Sequence, residues 1–401
     1  MNKRIENALR HLAPRFAEID DTALFNQQKV LDAFIENRIA LRHFAPTTGY
    51  GYDDTGRDTL YKLYAAVFGT EAAIVSPLIA SGTHALTTAL FGLLRPGQTL
   101  LCATGKPYDT LNDVIFGDGI GSLKDFNVNC VIVPLKDGKP DTDEIKRKIR
   151  ELKPSVIMIQ RSRGYDMRPA LSVAQIEQIA ALADGTSSRV MVDNCYGEFT
   201  EKAEPSRVDV LVGSLIKNPG GGIAPTGGYI CGTESALKQI EGRFTAPSVG
   251  REVGSYSGDY RPFYQGLFLA PHTVAQSVKT ALLFSQIFGE LGYETMPKPD
   301  DPVDDIICSI KFGEKQKLIE FCRTIQSVSP VDSFALPEPW DMPGYNDQVI
   351  MAAGAFVQGS SIELSCDAPI RPPYVAYLQG GLTFEHGIIA AERCLKALGI
   401  D

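Results

Sequence analysis

The chain has 401 residues, of which 44% are hydrophobic and 22% charged, and a formal net charge of −9. That length exceeds the roughly 250–300 residues at which a single core stops growing, so two domains are expected. The acidic balance argues against nucleic acid as a partner, and no apolar stretch is long enough to span a bilayer.

The first 42 residues read as one or two helices, 7–17 and 22–41, with Val30, Phe34, Ile35 and Ile39 at helical spacing. The start runs from Met1 into polar sequence and not into an apolar signal core, so a cytoplasmic location is expected. From about residue 57 the pattern alternates: helix 57–68, strand 72–76, helix 82–94, strands 99–103 and 130–135, helix 143–152, strand 156–159 and helix 173–183. Strands 189–193, 208–213 and 228–231 and helix 234–242 follow. Short continuous apolar strands between helices predict an α/β fold around a mainly parallel sheet with both faces covered. A helix over 273–291 leads to the linker-like Pro297-Lys298-Pro299-Asp300-Asp301-Pro302. Residues 303–401 predict a small α+β unit: a strand, helix 314–325, a Pro-rich loop 330–345, strands 349–356 and 361–366, and helix 383–398. The expected organisation is an N-terminal helical arm (1–45), a large domain (46–275) and a small C-terminal domain with its linking helix (276–401).

Two strand ends carry the chemistry. Arg189-Val190-Met191-Val192-Asp193-Asn194 ends an apolar run in an acid, and 24 residues after Asp193 comes Lys217, in Ser214-Leu215-Ile216-Lys217, behind a second apolar run. In parallel sheets ligands sit at the carboxyl ends of strands, where Asp193, Ser214 and Lys217 all lie. A buried acid plus a lysine so placed is the arrangement pyridoxal 5'-phosphate (PLP) needs. The lysine forms a Schiff base with the aldehyde, and the acid keeps the pyridine nitrogen protonated so that the ring is an electron sink. Each residue alone reads as readily as a surface lysine or a helix cap. Between a strand and a helix, Ala80-Ser81-Gly82-Thr83-His84 can aim backbone N–H groups at a phosphate, although ordinary helix caps look similar. Gly51-Tyr52-Asp53-Asp54-Thr55-Gly56-Arg57-Asp58 nearly fits a P-loop, but Arg and Asp stand where Lys and a hydroxyl are required, and two further acids would repel phosphate. The eight cysteines are scattered without a C-x-x-C, which fits neither a disulfide framework nor a zinc site.

Ser81-Gly82-Thr83-His84, Tyr108, Asp193-Asn194 and Ser214-x-x-Lys217 come in the order found in fold-type I PLP enzymes, and the chain resembles the cystathionine γ-synthase/methionine γ-lyase group. Within it, the sequence is most similar to the aluminium resistance protein or methionine γ-lyase-like family. The strings that carry this are Gly49-Tyr50-Gly51-Tyr52-Asp53-Asp54-Thr55-Gly56-Arg57-Asp58, Gln160-Arg161-Ser162-Arg163-Gly164-Tyr165, Lys217-Asn218-Pro219-Gly220-Gly221-Gly222, and Pro369-Ile370-Arg371-Pro372-Pro373-Tyr374 with Gln379-Gly380-Gly381. The resemblance implies a seven-stranded, mainly parallel sheet domain plus a small C-terminal α+β domain, PLP as cofactor, and a carbon–sulfur lyase acting on a sulfur-containing amino acid by β- or γ-elimination. It gives Lys217 the Schiff base and proton transfers, Asp193 the ring nitrogen, Tyr108 the ring face, and Ser81, Gly82, Thr83 and Ser214 the phosphate. It implies that Tyr50 or Tyr52 reaches a neighbouring subunit's phosphate, in a homodimer or homotetramer with shared active sites.

The sequence departs from the wider group at two points. The Asn-Pro-type loop after the strand ending near Ile159 is replaced by Gln160-Arg161-Ser162-Arg163-Gly164, so the contact to the cofactor's ring oxygen is reassigned to Asn194 or an arginine. The strand expected to carry the substrate-carboxylate arginine reads Ser361-Ile362-Glu363-Leu364-Ser365-Cys366, so that role passes to Arg371, whose planar fork suits a carboxylate. The alternatives are another PLP-dependent transferase or lyase, or a non-enzymatic metal-resistance protein. For the latter the only acidic clusters are Asp53-Asp54 and residues 299–305, neither of which resembles a cage for a hard cation; no metal site is expected.

Overall fold

The computed structural model describes residues 2–400; Met1 and Asp401, the outermost residues of the expected arm and small domain, lie outside them. Helix α1 (Lys3–Glu36) is a single helix running through Pro14, where two had been expected. Then come α2 (Thr55–Phe68), β1 (Ala72–Ser76), α3 (Gly82–Leu93), β2 (Thr99–Cys102), a short α4 (Asn112–Phe116), β3 (Asn129–Ile132) and α5 (Thr142–Leu152). They are followed by β4 (Val156–Gln160), α6 (Val173–Ala180), β5 (Arg189–Asp193), β6 (Val210–Ser214), β7 (Gly228–Gly232) and α7 (Glu234–Phe244). Local chemistry sets the helix starts. The side chains of Asp54, Ser81, Asp141, Ser172 and Thr233 each accept a hydrogen bond from the third backbone N–H of the helix they open, each worth about 1 kcal/mol. The near P-loop is thus a helix cap: Asp54 accepts from the Arg57 N–H, and the Arg57 guanidinium donates to the Gly51 carbonyl.

These strands form one seven-stranded sheet in the order β1-β7-β6-β5-β4-β2-β3. The pairs from β6 through β3 are parallel, and β7 is antiparallel to both β6 and β1. β1, β4, β6 and β7 are buried throughout, as expected of strands covered on both faces.

The remainder contains α8 (Arg261–Glu290), β8 (Glu294–Met296), β9 (Ile307–Lys311), α9 (Lys315–Ser327), β10 (Val349–Ala352), β11 (Ser365–Pro369), β12 (Val375–Gln379) and α10 (Phe384–Ala397). They build a second, antiparallel sheet ordered β10-β11-β12-β9-β8. Two large hydrophobic clusters and one small one result, and α8 serves both large ones: Phe263, Leu267 and Val274 pack in the first, Leu283, Phe284 and Phe288 in the second. Spanning about 45 Å at helical rise, α8 fixes one sheet against the other. It begins twelve residues before the expected Thr273, because Pro262 falls in the first turn, where no N–H is missed, and Pro271 is accommodated inside the helix. The expected strand 361–366 is displaced to 365–369. Buried Glu363 accepts hydrogen bonds from the N–H groups of Phe356 and Val357, which folds the segment before β11 into a turn.

The loop after β6 crosses α8 closely. A Cβ on Gly220 would lie 1.7 Å from the Leu215 carbonyl oxygen, and one on Gly221 2.3 Å from that of Gly266. Gly221 permits this crossing, and the tight packing around Gly220 and Gly222 helps hold the loop that carries Lys217 in place. Gly221→Ala, whose Cβ would meet the Gly266 carbonyl of α8, should therefore cost about 1–3 kcal/mol or more in chemical denaturation, and an unchanged midpoint would show that the crossing is not tight.

Candidate active site

A cavity of about 340 Å³ opens where β4, β5 and β6 end, beside the N-terminus of α3. Its far wall comes from the segment leading into β10, β10 itself and the turn before β11, through Tyr345, Met351, Gln358 and Ser360. The sequence places a ligand at this edge of the sheet for the reason already given: the strand carboxyl ends and a helix amino end converge there.

Lys217 reaches into this cavity. Its Nζ hydrogen-bonds to the Tyr196 hydroxyl and donates to the Ser360 carbonyl at 3.0 Å. Burial lowers the pKa of this amine, opposed by Cys195, Asp367, Tyr345 and Asp193. The shift is in the direction that favours the neutral, nucleophilic form, relative to an ordinary surface lysine. Asp193 ends β5 on the cavity floor, 7% exposed, with Cys195 N–H donating to its Oδ1 at 3.2 Å. Burial raises its pKa; the Cys195 hydrogen bonds, Lys217 and Arg168 oppose the rise.

Ser81, Gly82 and Thr83 line the cavity at the start of α3, facing Ser214 at the end of β6. A Cβ on Gly82 would stand 3.2 Å from the Ser214 Cβ and 3.5 Å from the Cys195 sulfur, so glycine keeps this corner open. Thr83 shares a 2.8 Å hydrogen bond with the Thr110 hydroxyl. His84, another cofactor candidate, instead accepts from the Ala80 N–H. Tyr108 lines the cavity with its hydroxyl 2.8 Å from that of Tyr345, and burial keeps both phenols protonated. PLP fits these residues. The helix start and hydroxyls suit a phosphate, a buried acid lacking an ion-pair partner among the described residues suits a pyridinium, and the amine suits an aldehyde.

The structure thus brings Ser81, Gly82, Thr83, Tyr108, Asp193, Ser214 and Lys217 together around one cavity. It does not bring Asn194 there. That side chain is fully buried, accepting from Arg161 at 2.9 Å and donating to Glu204 at 3.1 Å, because the sheet pleat turns it away from Asp193. The neighbouring arginines are also committed: Arg161 pairs with Glu201 and Glu204, and Arg163 grips Asp305. Arg371 likewise stands outside, paired with Asp347 at 2.7 Å and 3.9 Å from Asp109. Two carboxylates of the chain occupy its fork, and it does not line the cavity that holds Lys217. Tyr50 and Tyr52 stack on each other, 72% and 67% exposed, away from this chain's cavity.

Several residues of the site lay beyond the sequence reading. Tyr196 follows Asp193 by three, and its left-handed backbone (φ 71°) is an uncommon, strained conformation for a tyrosine. Gln160 ends β4, and the strand-end rule that selected Asp193 could have found it. Tyr345 and Ser360 come from loops of the second sheet, and no local pattern marks them. Among the described residues no cluster of His, Cys, Asp or Glu is placed to hold a metal ion, and no helix is long and apolar enough to cross a membrane.

The family model for methionine gamma-lyase matches residues 1–399. The uncharacterised protein YnbB of Bacillus subtilis (strain 168) is 49% identical over 377 residues, 92% of this chain and 89% of YnbB. The solved structure of a carbon-sulfur lyase involved in aluminium resistance from Clostridium novyi NT is 51% identical, with TM-score 0.94 over 99% of this chain and 95% of that one. The pyridoxal-5'-phosphate dependent protein YhfS of Escherichia coli shares the fold alone, at 14% identity and TM-score 0.63 over 94% of this chain and 97% of that one. The chain belongs to the methionine gamma-lyase family and has the fold of fold-type I PLP-dependent enzymes.

Beneath the cavity, buried Glu198 accepts from the Tyr229 hydroxyl at 2.6 Å, and burial raises its pKa from an ordinary 4.5 to about 8. The folded chain therefore binds a proton there that the unfolded chain has released. This group's stabilisation is complete below 4.5 and is lost as pH rises through about 8. Asp304 and Asp367, raised to about 6, act lower. Thermal midpoints should fall between about pH 6 and 8, and Glu198→Gln should flatten that decline; an identical slope in the variant would refute the assignment.

Proposed function

We propose that this member of the methionine gamma-lyase family is a PLP-dependent carbon–sulfur lyase that eliminates a thiol from the β- or γ-carbon of an amino acid. The observation that carries this reading is the single cavity holding an enclosed amine at Lys217, a buried acid at Asp193 and an open helix start at Gly82. When bound, the cofactor supplies an electron sink that makes the substrate's Cα proton removable.

The chain's own residues do the rest. Lys217 would hold the cofactor and then, with its basicity lowered by burial, take the proton from Cα at Nζ. The Tyr196 hydroxyl and Ser360 carbonyl orient that nitrogen, and they give the ammonium two partners once it carries the proton. Asp193 would keep a proton on the ring nitrogen. Two unit charges about 4 Å apart at an effective dielectric near 20 interact by about 4 kcal/mol, enough to hold it. The Tyr108 hydroxyl, kept protonated by burial and fixed by Tyr345, is placed to hand a proton to a departing sulfur. Met351, Leu86 and Ile216 give the cavity apolar surface suited to a thioether. Among the described residues, Lys217 is the one lysine or arginine lining the cavity. Arg371 can serve a substrate carboxylate by exchanging Asp347 for it.

The exposed Tyr50–Tyr52 pair supports an assembly in which this loop completes a neighbour's phosphate site, with twofold symmetry.

Lys217→Ala should abolish both turnover and the visible band of the bound cofactor, and borohydride should label Lys217 alone. A screen of amino acids should give a keto acid, a thiol and ammonia from a sulfur-containing substrate; label on another lysine, or release of none of these products, would reject the reading. For the shared site, Lys217→Ala and Tyr52→Ala subunits, each inactive alone, should regain activity on subunit exchange, because a mixed dimer has one intact site. Lack of recovery after proven exchange would place Tyr52 within its own subunit.

A further inference from the structure

We infer that the side-chain amide of Gln160 donates a hydrogen bond to the phenolic ring oxygen of the cofactor, and so sets how strongly this chain holds it. The inference rests on the reading of the cavity as a PLP site. The argument starts from the substitution pattern of the pyridine. The arm bearing the phosphate and the phenolic oxygen both stand meta to the ring nitrogen, on opposite edges. With the nitrogen at Asp193, the ring lies over the end of β5. The phosphate site, made by the start of α3 and Ser214, lies on the β6 side. Strand order then decides the other edge: β5 is flanked by β6 and β4, so the oxygen faces β4.

β4 ends in Gln160, which pairs in register with Asp193 across parallel strands. Register partners project to the same face of a sheet, so both side chains reach the cavity, and both line it. Gln160 is 7% exposed. Its backbone N–H donates to the Thr104 hydroxyl at 2.9 Å, which fixes the strand end. Its amide nitrogen donates one hydrogen to the Ser162 carbonyl at 3.1 Å, and its amide oxygen has no partner. That nitrogen carries a second hydrogen for which no bond forms among the described residues, and the orphaned oxygen shows that the chain alone does not satisfy this buried amide. The same nitrogen lies at the edge of the Tyr108 ring. A Cβ on Gly164 would meet the Tyr108 Cδ2 at 3.0 Å and the Gln160 Nε2 at 3.2 Å, and Gly164 has a positive φ of 59°. Glycine there lets the amide and the ring stand side by side.

The rival donors on the β4 side are occupied. Asn194 and Arg161 bond each other and Glu204, Arg163 holds Asp305, and the Ser162 hydroxyl also donates to Asp305, at 2.9 Å. The Tyr196 hydroxyl is at Lys217. Gln160 is left as a side-chain donor with an unspent hydrogen on the β4 side of the cavity.

A donor on the phenolic oxygen draws charge from it and loosens its grip on the proton of the Schiff base with Lys217. Removing the donor should therefore raise the pH at which the visible band titrates. The charged or titratable groups around the amide and Lys217 are Asp193, Lys217, Tyr108, Tyr196, Arg168, Cys195, Tyr345 and Asp367, and the variants leave all of them in place.

The test measures PLP affinity and the pH titration of the visible band in wild type, Gln160→Leu and Gln160→Met. It then repeats the affinities with a PLP analogue lacking the phenolic oxygen. Both variants should bind PLP about 10- to 100-fold more weakly, as expected for a lost hydrogen bond to a charged group, and titrate about one pH unit higher. With the deoxy analogue the wild-type advantage should shrink to within about twofold, since no oxygen remains to be bonded. If the Leu variant fails to fold by circular dichroism, the Met variant, closer in length, carries the comparison. An equal loss with PLP and with the analogue would make Gln160 a merely structural residue and overturn the inference, as would an unchanged titration. A wild-type protein that forms no visible band with PLP, or a Lys217→Ala variant that keeps it, would instead overturn the cofactor reading.

Discussion

Everything at this site depends on burying a carboxylate at the end of β5 without giving it an ion-pair partner. A buried acid in a dry environment moves toward its neutral form, and burial does push Asp193 that way. The surrounding chain limits that drift and does not neutralise the group outright. Cys195 donates to it, and Lys217 and Arg168 lie in its field without closing an ion pair. A site so arranged is electrostatically incomplete and favours a ligand that brings a protonated ring nitrogen.

The arginines of the β4 loop show how the same physics is handled where no ligand is wanted. Arg161, Arg163 and Arg168 are all buried. Arg161 is shared between Glu201 and Glu204, and Arg163 meets Asp305 at 3.0 Å just before β9. Arg168 makes do with the carbonyls of Gln160, Ser162 and Pro169, and burial lowers its pKa to about 10. Breaking one member of such a pair leaves the other buried and unpaired, a cost of several kcal/mol, so these contacts fix geometry more than they add stability. The Arg163–Asp305 pair joins the loop of the large sheet to the strand entering the small one. It thereby sets the distance across which Gln160 and the second sheet face each other.

The order of elements in the large sheet was legible in the sequence because its strands are short apolar runs closed by caps and turns. Arg189–Asp193 and Ala72–Ser76 are where periodicity put them. Val208 and Asp209 fell outside β6 because the Asp209 carboxylate takes the Arg189 guanidinium and the Val190 N–H, a contact across chain segments that local pattern cannot show. β12 was missed because Pro372 and Pro373 made its approach look like a turn. The site divides the same way. That residues at strand ends and helix starts would meet at one cavity was legible, since strand carboxyl ends and helix amino ends converge there. Arg371 was assigned on residue type alone: a guanidinium suits a carboxylate, and what the sequence could not show is that the fold already places two of the chain's own carboxylates at it. Tyr345 and Ser360 could not be seen, because only the packing of one sheet against the other brings them to Lys217.

That packing makes the placement of the Lys217 amine a joint product of the two sheets. The Lys217 backbone position is set by the glycine crossing on α8, and its nitrogen by the Ser360 carbonyl from the second sheet. The Ile362 N–H donating to the Ile216 carbonyl at 3.1 Å closes the same seam one residue before the lysine. The Ser360 hydroxyl is in turn held by Asp367 on β11, a buried acid whose pKa is raised to about 6 by burial. The chain Asp367–Ser360–Lys217 therefore runs from the second sheet into the cavity of the first. A shift of the small sheet by even part of an ångström would lengthen the bond to Nζ, and hydrogen bonds weaken steeply with distance and angle. The two-sheet architecture is then part of the chemistry. The large sheet supplies the floor and the charge, and the small sheet fixes where the amine points.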